Sequence, residues 1–406
     1  MLSLIVPLSI AFFGFLGQST GAAPTTRFCT KAAACNGQLE GVVTLEGGGF
    51  PAGVNLFLQP LSVEPRPTTV GEYVVRNDDI DAMSRGHFHG IVDEAGRVRI
   101  GEVRPGRYIL VIQVPGYISP ESFPWRLEPS ASGHGVSEPT DNTVTVRAGA
   151  TTTFHLKLQH GGTIAGIVRS GESMSARRDV PIVEQVALSL LTKRSDGYFQ
   201  HTDVGAAHTD ADGRFAFADL PPGDYVIMTV IPGPSVRTAA GQSRVMGGLL
   251  FSGGTSSLEK ASVVHVVGTE TENTELVLPT TGLCNVSGRA FTADGLSITK
   301  SLVRLKPIDD DPSRTFPIST TGSGITSDGS FQFNSLLSNR YEIWMELQPE
   351  VTFLGITDDH QGMRMRSTPP PPYTSPHVLV DCRDGVTEHV VLELKSGNNQ
   401  TSAPAR

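Results

Sequence analysis

Most catalytic signatures are missing from these 406 residues. No HxxE or HExxH pair occurs, so a zinc peptidase has no ligand set. No GxSxG occurs, which removes the usual serine-hydrolase elbow. A P-loop and a dinucleotide fingerprint are both missing. Lysine is scarce, seven against 25 arginines, and forms no polybasic run. With a formal net charge of −9, nucleic acid and anionic membrane are poor partners. Hardly any stretch carries the 3.6-residue apolar period of a helix. The four cysteines contain no CxxC pair. After the first 22 residues no apolar run is long enough to cross a bilayer.

What is present is glycine and proline, 44 and 28 residues, in the proportion of an all-β protein with many turns. The stretch from Thr209 to Ile227, TDADGRFAFADLPPGDYVI, organises the rest. Asp212-Gly213 is a tight-turn signal, because Gly accepts φ > 0. Phe215 and Phe217 alternate with Arg214, Ala216 and Ala218, the period of a half-buried strand. Pro222-Gly223 then forms a corner before a second strand carrying Tyr225 and Ile227. The plan recurs as VDEAGRVRIGEVRPGRYILVIQV and ITSDGSFQFNSLLSNRYEIWMEL.

In all three copies the turn glycine precedes a tyrosine by twelve positions: Gly96 and Tyr108, Gly213 and Tyr225, Gly329 and Tyr341. The glycines are 117 and 116 positions apart, so the chain reads as three similar domains. Gly106, Gly223 and Asn339 share one slot, where a left-handed backbone is expected. The strands on either side of each turn glycine read as a hairpin.

Leu2 to Gly17 is nearly all apolar, and Thr20-Gly21-Ala22 fits a cleavage site, so residues 1–22 read as a signal peptide. A leader at 23–36 follows, then β-sandwiches at 37–160, 161–280 and 281–395, and a disordered tail at 396–406. The fold class is all-β, with three tandem immunoglobulin-like or transthyretin-like sandwiches. A location that is secreted, periplasmic or at the cell surface suits disulfides. Four cysteines allow three connectivities. Local pairing, Cys29–Cys35 and Cys284–Cys382, is the expectation, with free or metal-bound thiols as the alternative.

The succession of a GxV opening strand, a GVxLxL second strand, TDxDGxFxFxxLPPGxYxI and a closing strand resembles the carboxypeptidase regulatory-like domain. That family lies in a wider transthyretin-like or carbohydrate-binding-like group, which also resembles the B-type repeats of bacterial collagen adhesins. The resemblance covers about residues 37 to 395. In the third copy Ser338-Asn339 replaces Pro-Gly. It implies non-catalytic modules of exported bacterial proteins. Many adhesin repeats carry a Lys–Asn isopeptide bond from the first strand. The first strands here, GQLEGVVTL, GGTIAGIVRS and CNVSGRAFT, contain no Lys, so none is expected.

Candidate sites are few, and no cofactor or metal is expected. His87 and His89 stand at i and i+2, as a metal pair or as two histidines beside a turn. Asp210-Ala211-Asp212-Gly213 resembles the start of a calcium loop, but no glutamate follows at the loop spacing, so turn chemistry is the better reading.

Three long loops occupy equivalent places. They carry Tyr117, Phe123, Trp125 and Arg126 in 115–141, Arg237, Arg244 and Phe251 in 232–261, and His360, Arg364, Arg366 and Tyr373 in 348–376. Aromatics and Arg on loops held by a rigid sandwich suit a binding surface. The same residues also serve to pin long loops down. In YEIWMEL, Trp344 shares a face with Glu342 and Glu346, either to stack on a sugar or to pack between domains. The expected partner is a polysaccharide or a cell-surface or extracellular protein. The alternatives are a spacer or assembly module without a ligand, and a hydrolase whose carboxylates meet only in space.

Overall fold

Inward-facing apolar residues at every second position turn the segments singled out above into strands. In Arg214–Leu220, Phe215 and Phe217 are buried while Arg214, Ala216 and Ala218 are exposed. The structure is a computed structural model. It describes residues 36–396 apart from 61–65, 70, 77–87, 121–126, 130–134, 138–142, 172–184, 194–196, 203–205, 232–234, 239–240, 245–246, 293–300, 312–320, 327, 348–349, 358–361, 369–372 and 386. The expected signal peptide and residues 23–35 of the leader, with Cys29 and Cys35, fall outside the described residues, as do His87, Phe123, Trp125, Arg126, His360 and the tail after 396. Among the described residues no helix is long and apolar enough to cross a membrane.

The fold is all-β, with the same seven strands recurring in three sandwiches, the pre-turn ones being His89–Ile91, Ala207–His208 and Thr321–Gly324. Opening strands are Gly37–Leu45, Gly162–Ser170 and Cys284–Thr292. Second strands are Asn55–Pro60, Ala187–Lys193 and Leu302–Pro307. Post-turn strands are Arg97–Val103, Arg214–Leu220 and Ser330–Leu336. Tyrosine strands are Gly106–Ile112, Gly223–Val230 and Arg340–Glu346. Thr143–Val146, Val264–Val266 and Val378–Asp381 follow the long loops. Thr151–Leu158, Thr271–Leu278 and Glu388–Ser396 close the sandwiches.

One sheet of each sandwich sets the opening strand between the closing strand, parallel to it, and the post-turn strand, antiparallel to it. The other is built on the second and tyrosine strands, paired antiparallel. A separate apolar core lies inside each sandwich.

The turn glycines Gly96, Gly213 and Gly329 have φ of 76°, 77° and 84°, as tight turns require. The turns do not make hairpins, however. His89–Ile91 pairs with the second strand, whereas Arg97–Val103 pairs with the opening strand of the other sheet. Residues 207–208 and 321–324 behave in the same way. Each turn is an arch from sheet to sheet. Alternation along a strand is identical in an arch and a hairpin, so the local pattern does not distinguish them.

A second expectation also moves. Gly106, Gly223 and Asn339 are not left-handed; Glu102, Asp219 and Ser335 are, at φ 56°, 59° and 53°. Each lies at a β-bulge, where the register of the opening strand shifts at Gly37/Leu39, Gly162/Ile164 and Cys284/Val286. The bulge bends the post-turn strand as it leaves its sheet, so the unusual backbone is needed there.

The corner itself is held by a tyrosine. Tyr108 Oη donates to Arg104 O at 2.9 Å, Tyr225 Oη to Pro221 O at 2.7 Å and Tyr341 Oη to Leu337 O at 2.8 Å. Burial pushes these phenols up, that of Tyr341 to about 12.

Cys284 and Cys382 form a disulfide. The Asp-Gly turns use their own carboxylates. Asp210 Oδ1 accepts from the amides of Asp212 and Arg214 at 2.9 and 2.8 Å, and Asp93 Oδ1 from those of Ala95 and Arg97 at 2.9 and 2.7 Å. Those oxygens are engaged in turn geometry, in keeping with the turn reading of Asp210.

Candidate binding face

The two faces of a tyrosine strand alternate, so its outward residues lie on the outer surface of the second sheet. In the first sandwich these are Ile109 and Val111, both buried. In the second they are Val226 and Met228. Val226 is buried with Leu191, Phe199, Phe251 and Leu258 in a satellite cluster, against which Met228 packs. Phe251 and Leu258 come from the described part of 232–261, where Leu249–Phe251 pairs with the tyrosine strand and so joins this sheet.

The third sandwich departs from that plan. Its outward residues are Glu342, Trp344 and Glu346, facing Lys306, Arg304 and Leu302 on the second strand. Lys306 Nζ lies 3.2 Å from Glu342 Oε2, with its side chain only 10% exposed. His377 Nδ1 lies 2.9 Å from Glu342 Oε1. Arg304 Nε lies 2.7 Å from Glu346 Oε2.

The Trp344 ring is half-buried and stacks on His377, with centroids 5.3 Å apart and planes 3° apart. Leu379, opposite Glu342, is exposed. Burial pushes the Glu342 carboxyl up, but hydrogen bonds from His377 and Lys306, with their charges, outweigh it and hold it below the ordinary range. The result is an aromatic platform bordered by ionised, hydrogen-bonding groups, suited to a polar ring ligand.

The other sequence candidates divide. Tyr117 stacks on His160 with centroids 4.2 Å apart, and its Oη donates to Glu46 O at 3.4 Å. It is thereby occupied between its loop and the end of its sandwich. Tyr373 is half-buried, pairs with Ser396 of the closing strand and packs on the third core. Arg364 is not on an open loop. Glu350–Ile356 and Gly362–Thr368 form a two-stranded hairpin within 348–376. The second strand of that hairpin pairs with Glu72–Arg76 of the first sandwich, which pairs in turn with Arg66–Thr69. Arg364 and Arg366 both form ion pairs with Glu72. Among the described residues, Tyr117, Arg364 and Tyr373 are therefore not gathered into one loop platform. Among the described candidates Trp344 is the aromatic on an outward sheet face, and its ring stacks on His377 of its own sandwich.

Residues not expected to join sandwiches make the junctions between them. Asp310 is 2% exposed and accepts from Ser257 Oγ at 2.5 Å, Leu258 N at 3.3 Å and Glu259 N at 3.4 Å. Beside it Lys260 Nζ meets Asp309 at 2.6 Å, and Asn339 Nδ2 donates to Ser256 Oγ at 2.9 Å. Between the first two sandwiches, Gly116 N donates to Asp219 Oδ1 at 2.9 Å. The signal available was comparison of the repeats with one another. Glu342 and Trp344 stand where Val226 and Met228 stand one repeat earlier.

No protein-family model matches the chain, and no curated protein matches it in sequence. Among solved structures it is similar to the TIE protein of Bacillus anthracis, at 10% identity and a TM-score of 0.21 over 89% of this chain and 51% of that one. It is also similar to GBS52, the minor pilin of Streptococcus agalactiae, at 12% identity and a TM-score of 0.25 over 60% and 95%. A third is BcpA, the major pilin subunit of Bacillus cereus, at 11% identity and a TM-score of 0.19 over 89% and 100%. The chain thus spans about half the length of the first of these.

Proposed function

We propose that the chain is a non-catalytic, exported adhesion or assembly module of the carboxypeptidase regulatory-like type, whose long loops tie its sandwiches into one scaffold. The observation that carries this reading is the buried Asp310 carboxylate of the third sandwich, filled by donors from the loop of the second. A binding loop held open for a ligand would not give its hydroxyl and amides to a neighbour. The Cys284–Cys382 bridge accords with an oxidising location.

Asp310→Ala is expected to weaken that junction by about 1.5–3 kcal/mol, the range for hydrogen bonds to a charged group. Calorimetry of the full chain should then resolve separate melting of the second and third sandwiches. An unchanged profile would remove the latch, and with it the scaffold reading.

A carbohydrate partner is the second reading, favoured by the Trp344–His377 stack with Glu342 and Glu346 beside it. Its test is a polysaccharide array probed with the full chain. Trp344→Ala should weaken any hit by about tenfold, the effect of losing an aromatic contact of ~1.4 kcal/mol. A hit that survives the substitution would place the site elsewhere. Silence across the array from a folded sample would leave the assembly reading alone.

A further inference from the structure

The long loops follow an order. The loop of the first sandwich meets the bulge of the second, Gly116 on Asp219. The loop of the second meets the bulge region of the third, where Gly247 bridges to Asn334 beside Ser335. The third loop has no following sandwich among the described residues, and it turns back to the first, pairing Gly362–Arg366 with Glu72–Arg76. Meanwhile the first sandwich's own bulge, Gly101 and Glu102, is exposed, although its counterparts in the later sandwiches are docking points.

The seam between first and third sandwiches is thin. It is made of five residue pairs, from Gly362 opposite Arg76 to Arg366 opposite Glu72. On the neighbouring edge strand Val351, Phe353 and Ile356 are 43%, 55% and 60% exposed, and no residue of that strand whose burial is described is buried. The ion pairs of Glu72 involve two arginines whose side chains are 52% and 53% exposed. Because the Glu72 side chain is 15% exposed, the pairs add modest attraction, and a reversed sign at the seam would set like charges face to face. Closure within one chain therefore rests largely on the high effective concentration of two tethered strands.

We propose that this seam is exchangeable, and that Gly362–Thr368 of one copy pairs with Glu72–Arg76 of a second copy, joining copies head to tail. The partner is a second copy because complementary strand, register and charges are already present in the molecule. Trading an intramolecular contact for the same contact between copies is a low-cost route to association. Each copy carries both surfaces, so reciprocal exchange closes a dimer, while one-way repetition gives a row or a larger ring. The order of loop onto following sandwich then continues from copy to copy. This rests on the assembly reading above.

The test uses full-length chains carrying Val74→Cys or Arg364→Cys, positions that oppose each other across the seam. Mixed under mild oxidation, the pair should give a mixed dimer, with the linkage mapped by mass spectrometry. Its yield should exceed that of the off-register pair Arg76→Cys with Arg364→Cys by about tenfold, as a 1.4 kcal/mol preference for the register gives. Both cysteines in one chain should close internally. Internal closure without a mixed dimer above the control would overturn the exchange. No internal closure would remove the seam, and the proposal with it.

Should a cysteine variant not fold, charge reversal serves instead. Glu72→Arg alone and Arg364→Glu/Arg366→Glu alone should sediment as monomers, and their equimolar mixture as a heterodimer. A mixture that stays monomeric overturns the proposal. None of these substitutions touches Asp310, so failure here is distinct from failure of the assembly reading.

Discussion

Replacing both Cys284 and Cys382 by alanine should lower the stability of the third sandwich by about 4.7 kcal/mol, the chain-entropy value for a closed loop near 100 residues. The two cysteines are 98 positions apart and fully buried. They join the first residue of the opening strand, in one sheet, to the residue following Val378–Asp381 in the other. The first two sandwiches manage this place without sulfur. Gly37 and Gly162 stand where Cys284 stands, and the side chains of Val146 and Val266 come so close that a Cβ on either glycine would overlap them. The third sandwich has a covalent tie where the others have close packing. Urea unfolding of the double variant, with limited proteolysis to identify the sandwich that opens, checks this. A loss below about 1 kcal/mol would mean that packing around the pair, and not the closed loop, carries the stability.

Gly288→Val should cost about 3 kcal/mol, the upper end for forcing volume into a filled core. A Cβ at Gly288 would overlap the Val390 carbonyl oxygen of the parallel closing strand and the Phe331 ring. Gly166 has the same neighbours in the second sandwich, the Thr274 carbonyl and Phe215. Backbone cannot move aside without breaking the parallel pairing that closes the sandwich.

Gly41 provides the contrast. There the residue opposite on the post-turn strand is Val98 rather than Phe, and the ring over the glycine is Phe154 from the closing strand. The three nearest atoms to an added Cβ at Gly41 all belong to that half-buried ring. Gly41→Ala should therefore be tolerated much better than Gly288→Ala. Thermal midpoints of the two alanine variants and of Gly288→Val test the ordering; equal effects would show that the carbonyl contact is not what resists substitution.

Comparing repeats explains which readings the sequence allowed. The tyrosine twelve positions after each turn glycine marked the same strand three times, because the corner between them has fixed geometry. The hairpin reading of that turn was wrong, because alternation records burial and not the identity of the neighbouring strand. The left-handed residue was sought at the Pro-Gly corner. It lies at Glu102, Asp219 and Ser335, whose residue types do not announce it. The loop residues looked equivalent by position, yet Phe251 turned onto its own sheet and Arg364 paired with Glu72. Glu72 and Arg364 are far apart in the chain, and no local pattern links them.

The sequence by itself determined the three-fold repeat, the all-β class and the turn glycines, and left the pairing of Cys284 with Cys382 as the favoured of three connectivities. These follow from local backbone preference, strand alternation and spacing, which act over a few residues and then repeat. Only the tertiary structure decided that the turns are arches, that Asp310 is buried under a neighbour's loop, and that Trp344 lies on a charged face where its counterparts are covered. Those features depend on which distant segments meet, and hydrogen bonds and packing between segments remote in sequence leave no periodic trace along the chain.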